Sequence, residues 1–185
     1  MSIELLLERD MRSYMFKVDP AKPDSFENNW KNNSLDKLHI LEQTHYFRQR
    51  VATFRCQTVH NYCFGEYATA DFLRWGDTIA PGDFFVKCFV PPRNFHGEIH
   101  GIINCTDLDG QFINCNSMQE TANGFQNGRF LIHDRYSEKL GKDTNFGWSA
   151  GCFILSSKDL QTFNTVLRAY KVAAGDVIKG KIVEV

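Results

Sequence analysis

Two short apolar runs in the second half of the chain end or begin on residues suited to thiol chemistry. Phe130-Leu131-Ile132 leads into His133-Asp134, and after a polar loop comes Trp148-Ser149-Ala150-Gly151-Cys152-Phe153-Ile154-Leu155. A cysteine attacks as its thiolate, and a nearby imidazole is the common acceptor for the proton. Attack on a carbonyl also needs backbone N–H groups aimed at the oxygen that becomes negative. A tight turn through Ser149-Ala150-Gly151 would aim the amides of Gly151 and Cys152 that way, and a glycine at 151 would let a substrate approach the backbone closely. Taken singly, Cys152 reads as a buried structural cysteine and His133 as a hydrogen-bonded core histidine. Together, one at the end of each apolar run, they are candidates for a catalytic pair.

The pattern resembles the catalytic domain of the L,D-transpeptidases (YkuD-type). That family's motif is a His, then 14 to 17 residues, then Ser or Thr, a variable residue that is usually His, Gly and Cys. Here His133 is followed by fifteen residues and then Ser149-Ala150-Gly151-Cys152. Upstream, Gly76-Asp77-Thr78-Ile79-Ala80-Pro81-Gly82-Asp83-Phe84-Phe85-Val86 is similar to the family's threonine-proline-x-glycine segment that enters a strand. The resemblance covers about residues 76–160. It implies a small β-sandwich-like fold with helical caps, a Cys152 nucleophile, His133 as base and later as acid, and a backbone carbonyl of Asp134 that orients the ring. It also implies a substrate, the peptidoglycan stem peptide, cleaved between a diamino acid and D-alanine through an acyl-enzyme that passes to an amine or to water. No cofactor is implied. Three positions depart from the pattern: Ala150 replaces the usual His, Asp134 the usual Gly or Ser, and Ile154 the usual substrate-holding Arg. These departures bear on substrate identity, and they keep open a non-catalytic peptide-binding module on the same fold.

Other residues have weaker patterns. His96-Gly97-Glu98-Ile99-His100 follows Pro91-Pro92, which points to a strand or loop rather than a zinc-binding helix. A metal-dependent hydrolase built on His96, His100 and His133 is the second alternative. On a strand, His100 would line the groove near Cys152 as a substrate-binding residue. Arg135, with Tyr136 and Lys139, reads as a solvated loop or as a lid bringing charge to a carboxylated substrate. Trp148 stands beside Ser149 and would wall the groove.

These residues need strands to hold them. Alternation and β-branching predict a strand over 51–59; the run 84–90, stopped by Pro91-Pro92, predicts another, and 98–104 and 111–114 read as two more joined by the turn Asp107-Leu108-Asp109-Gly110, with short buried runs at 129–133 and 152–155. Ile3–Glu8 and Ser13–Val18 read as a hairpin, residues 19–36 as a polar insertion, and Leu35–Arg50 as a helix with Leu38, Leu41 and His45 on one face. Ser156-Ser157-Lys158-Asp159 is a helix-start signal, followed by Leu160, Phe163, Leu167 and Tyr170 on one face to about residue 173; Gly175-Asp176 ends it and Val177–Val185 alternates as a last strand. The expected class is therefore mainly β, α+β. It is a single domain over 1–185, with 1–50 an N-terminal hairpin and insertion and 51–185 the core.

Composition removes other classes. The chain has 21 Lys plus Arg against 22 Asp plus Glu, a formal net charge of −1, so no general basic excess exists to neutralise a nucleic-acid backbone. No apolar run reaches the roughly 18 residues of a membrane-spanning helix. The first ten residues lack a basic segment and a long apolar stretch, so they do not read as a secretory signal. The expectation is cytoplasmic synthesis, with any action in the periplasm or cell wall reached by another route. The six cysteines contain no C-x-x-C pair and read as reduced thiols.

Overall fold

The computed structural model describes residues 2–12, 35–58, 78–90, 97–106, 110, 112–113, 120–121, 124–125, 130–143, 149 and 151–185. In chain order the strands are β1 (Ser2–Arg9), β2 (Asp36–Gln43), β3 (Arg48–Cys56), β4 (Gly82–Val90), β5 (Ile99–Ile103), β6 (Cys105–Thr106), β7 (Phe112–Ile113), β8 (Glu120–Thr121), β9 (Gly124–Phe125), β10 (Phe130–His133), β11 (Tyr136–Ser137), β12 (Lys142–Asp143), β13 (Phe153–Ile154) and β14 (Val177–Glu184). Helix α1 (Ser157–Ala169) lies between the last two. Among the described residues the chain is mainly β with this one α-helix, as the period-two patterns predict. No described helix is long and apolar enough to cross a membrane.

Eight strands form one sheet in the order β13-β10-β5-β4-β14-β1-β2-β3. The sheet curls on itself: Gln57, just past β3, exchanges backbone hydrogen bonds with Ile154 of β13 at 3.0 and 2.9 Å. Both ends of the strand order therefore meet at this bridge. Leu5, Leu7, Leu38, Ile40, Phe54, Phe84, Val86, Ile102, Phe130, Ile132, Phe153, Ile178 and Ile182 line the inner side. Helix α1 packs there through Leu160, Phe163 and Leu167, with the Phe163 ring edge-on to Phe54 at 5.6 Å. Its N-terminus is capped twice. The Asp159 amide donates to Ser156 Oγ at 3.1 Å, and Asp143 of β12 accepts from the Ser157 amide. The predicted Ser156 cap and the Leu160–Phe163–Leu167 face are both present.

One glycine sets the packing of the central strands. Gly180 of β14 is opposite Phe84 of β4, and a side chain at 180 would overlap the Phe84 ring. The ring thus lies flat over the glycine backbone and meets Phe153 edge-on at 5.3 Å. The last strand, predicted over 177–185, is observed over Val177–Glu184, with Ile178, Gly180 and Ile182 inward and Lys179 and Lys181 outward.

Two expectations for the first fifty residues are corrected. Leu35–Arg50 is not a helix but the β2–β3 hairpin, turning at Thr44–Phe47, where Thr44 Oγ1 accepts from the amides of Tyr46 and Phe47. Leu38 and Ile40 sit two apart on the inner face, so period two wins over the weaker Leu38–Leu41–His45 repeat. The predicted partner of β1, Ser13–Val18, lies outside the described residues. Over Glu4–Glu8, β1 has β14 on one side (parallel) and β2 on the other (antiparallel), so neither edge is left for it. β6 and β7 pair through Cys105–Ile113 and Thr106–Phe112; residues 107–109 of the predicted turn between them lie outside the described residues.

Candidate active site

The site residues lie where β10 and β13 run side by side. The two strands are parallel, with Ile132 opposite Phe153 and His133 opposite Ile154, and the ladder continues through the Leu155 amide to the His133 carbonyl at 3.0 Å. Phe130, Ile132, Phe153 and Leu155 point inward to the core. By alternation Leu131, His133 and Cys152 belong to the outer face. Cys152 packs there against Leu131, Val90 and Ile99. Cys152 precedes β13 directly, two residues before Ile154, the partner of His133.

His133 is buried, and its Nδ1 lies 2.6 Å from the Asp134 carbonyl oxygen. A carbonyl only accepts, so Nδ1 carries the proton and Nε2 keeps its lone pair. The sequence-based role for Asp134, orientation of the ring through its backbone carbonyl, has its geometric counterpart in this contact. Burial, followed by the charge of Arg135, pushes the His133 pKa down to about 3, against a partial upward pull from the Asp134 carbonyl. The imidazole is therefore neutral at neutral pH, able to take up a proton transiently but not resting as an imidazolium. Arg135 is itself half-buried; desolvation lowers its pKa, and the nearby Cys152 sulfur partly opposes that shift. Arg135 is thus an ordered cation acting on both members of the pair. The segment after it is a small hairpin, β11–β12, tied to α1 through Asp143, and Lys139 is exposed on its turn.

The turn before the cysteine is built differently from the expectation. Ser149 is buried; its Oγ accepts from the Gly151 amide at 3.1 Å and donates to the Cys152 carbonyl in a short hydrogen bond. Gly151 has φ +102°, a conformation that favours glycine. Ser149 therefore shapes the turn, as expected. The Gly151 amide faces Ser149 rather than an incoming carbonyl, which corrects its assignment as an oxyanion donor.

His100 is also corrected. It pairs with Ile132 on the inner side of the sheet, its ring edge-on to Phe163 at 5.3 Å, so it stands on the face opposite Cys152 and lines no groove there. Both ring nitrogens are engaged, Nδ1 by the Phe89 amide at 3.0 Å and Nε2 by Asn164 Oδ1 at 2.6 Å. A metal centre combining His100 with His133 would need side chains from opposite faces and displacement of these bonds. His96, Trp148 and Ala150 lie outside the described residues, as do residues 76–77 of the upstream segment. Ile154, where the family pattern has Arg, is fully buried in β13.

Among the described cysteines, Cys56, Cys88 and Cys105 are buried and Cys152 is half-buried. Burial raises the Cys56 thiol well above its ordinary value and the Cys88 thiol to about 12, which suppresses their thiolates. Sequence reasoning missed the apolar floor of Val90, Ile99 and Leu131 and the role of Asn164. Three strands and a helix assemble these residues, and no local motif marks them.

No family model and no solved structure matches the chain. An uncharacterized protein of Treponema pallidum (strain Nichols) is 46% identical to it over 189 residues, an alignment that covers 98% of this chain and 83% of that protein. At that identity and coverage, the chain belongs to the same family as this treponemal protein.

Proposed function

We propose that the protein is a cysteine-dependent acyl transferase of the L,D-transpeptidase kind, acting on peptidoglycan stem peptides through Cys152. One observation carries the reading: the His133 ring is held by the Asp134 carbonyl in the tautomer that leaves Nε2 as acceptor, on a strand adjoining Cys152 and on the same face. Because His133 is neutral at rest, the thiol and imidazole act by proton transfer during attack rather than as a preformed ion pair. Cys152 Sγ bonds to the carbonyl carbon of the diamino acid as its proton passes to His133 Nε2. The C–N bond to D-alanine then breaks, and the amine leaves with that proton. In the second half, an amine or water gives a proton to His133 and attacks the thioester, and the sulfur departs to regain its proton. Arg135 supplies a positive charge near the sulfur, and its half-buried guanidinium suits a carboxylate of the stem.

The test is intact-protein mass spectrometry after mixing the full chain with a stem tetrapeptide ending in D-alanine. The expected result is an adduct equal to the stem minus D-alanine, mapped to Cys152, absent in Cys152→Ala and formed about 10² to 10⁴ times more slowly in His133→Gln. A wild-type protein that binds the stem without forming the adduct would convert the reading to a binding module.

A further inference from the structure

Strand β4 breaks its alternation once. Phe84, Val86 and Cys88 face the core in period two, Phe89 then faces the core as well, and Val90 crosses to the outer face to pack with Ile99 and Leu131 against Cys152. The pairing with β5 records the extra residue, since Lys87 is opposite Gly101 but Val90 is opposite Ile99. Cys88 and Phe89 therefore share the single partner His100, the arrangement of a β-bulge. Phe89 has φ +49°, unusual for a bulky residue, and its amide has no strand partner at this step. That amide donates to His100 Nδ1 at 3.0 Å. The donor fixes the tautomer, so the ring proton sits on Nε2 and goes to Asn164 Oδ1 at 2.6 Å, while Asn164 Nδ2 donates to the Glu98 carbonyl at 3.0 Å. The ring is held edge-on by Phe89 at 4.8 Å and Phe163 at 5.3 Å.

We infer that His100, locked by Asn164 of α1, is a positioning residue for the thiol site: from the inner face it holds the β4 bulge, and the bulge turns Val90 outward into the apolar floor under Cys152. A one-residue change in strand phase moves side chains to the opposite face. Losing the clamp therefore withdraws Val90 from the floor and admits water beneath the sulfur. Apolar surroundings suppress a thiolate, so the sulfur becomes easier to alkylate while the geometry for acyl transfer is lost. The functional consequence rests on the acyl-transfer reading, but the positioning itself is read from thiol reactivity alone.

The experiment measures the rate of Cys152 alkylation by iodoacetamide at neutral pH, by peptide mass spectrometry on the full chain. His100→Leu keeps the bulk and removes the acceptor; it and Val90→Ala are each expected to speed alkylation by about threefold or more. His100→Gln, whose amide oxygen can accept from Phe89, is expected to return most of the way to the wild-type rate. Leu7→Val loosens the core on a distant strand, lowering the thermal midpoint without changing the rate. A folded His100→Leu with the wild-type alkylation rate overturns the inference. If that variant does not fold, Asn164→Leu and Val90→Ala replace it, and wild-type rates in both overturn it. Failure of the acyl-transfer reading is separate: it appears as a missing stem adduct in the wild-type protein, whatever the alkylation rates.

Discussion

Replacing Gly180 by Ala tests how the centre of the sheet is packed. An added Cβ would lie 2.5 and 2.7 Å from two carbons of the Phe84 ring, and closer still to Cζ. Phe84 is fully buried and meets Phe153 edge-on at 5.3 Å, so the ring cannot swing away without disturbing a second aromatic. In open space a Gly→Ala change in a strand would stabilise by roughly 0.4–1 kcal/mol through the unfolded chain. Overpacking of a filled core costs about 1–3 kcal/mol, and the overlap is with a ring rather than a flexible tip. The expected net loss is about 1–2 kcal/mol, read as a lower midpoint in urea denaturation followed by circular dichroism. In a Phe84→Leu background the overlap is relieved, and the same change should become neutral or stabilising, a coupling of at least about 1 kcal/mol in the double-mutant cycle. Gly180→Ala as stable as wild type, or an additive cycle, would refute the packing account.

Acid should weaken the fold before the carboxylates titrate. His100 is held near 4 and His133 near 3, both mainly by burial, and burial also lowers His39. Their unfolded value is about 6.5, so unfolding takes up protons as pH falls below it. The stability is fully present above about 6.5, declines at up to about 1.4 kcal/mol per pH unit for each histidine, and for His100 stops declining below about 4. Thermal midpoints should hold level from pH 8 to about 6.5 and fall from there to pH 5, less steeply in His133→Gln; a profile flat down to pH 5 would contradict neutral burial. Ser149→Ala removes both hydrogen bonds of the Ser149–Cys152 turn and is expected to cost about 1–2 kcal/mol and slow adduct formation, whereas Ser149→Thr should retain most of both. Ser156→Ala removes the cap on α1 and should cost about 1 kcal/mol by urea denaturation, without changing Cys152 alkylation.

Much of this architecture is legible in single stretches of sequence. Phe84–Val90 is an apolar run closed by Pro91-Pro92 and Val177–Glu184 alternates, so both are strands wherever they pair, and Ser156 with Leu160, Phe163 and Leu167 specifies a capped amphipathic helix. The placing of His133 and Cys152 at the ends of two apolar runs is equally local. Tertiary structure decided which face and which neighbour each residue received, because β pairing joins residues far apart in the chain. Both edges of β1 go to β14 and β2, so no adjacent hairpin forms with it. Gln57 finds Ile154 and closes the sheet. His100 has the residue type for a site, yet a two-for-one step in β4 needs its ring on the inner side, and Asn164 is there to hold it. Local sequence therefore determined most of the elements and the two residue types that could do chemistry, though not the β2–β3 hairpin. The long-range ladder and the bulge in β4 decided that His133 and Cys152 share a face, that His100 does not, and that Val90 lies beside the sulfur.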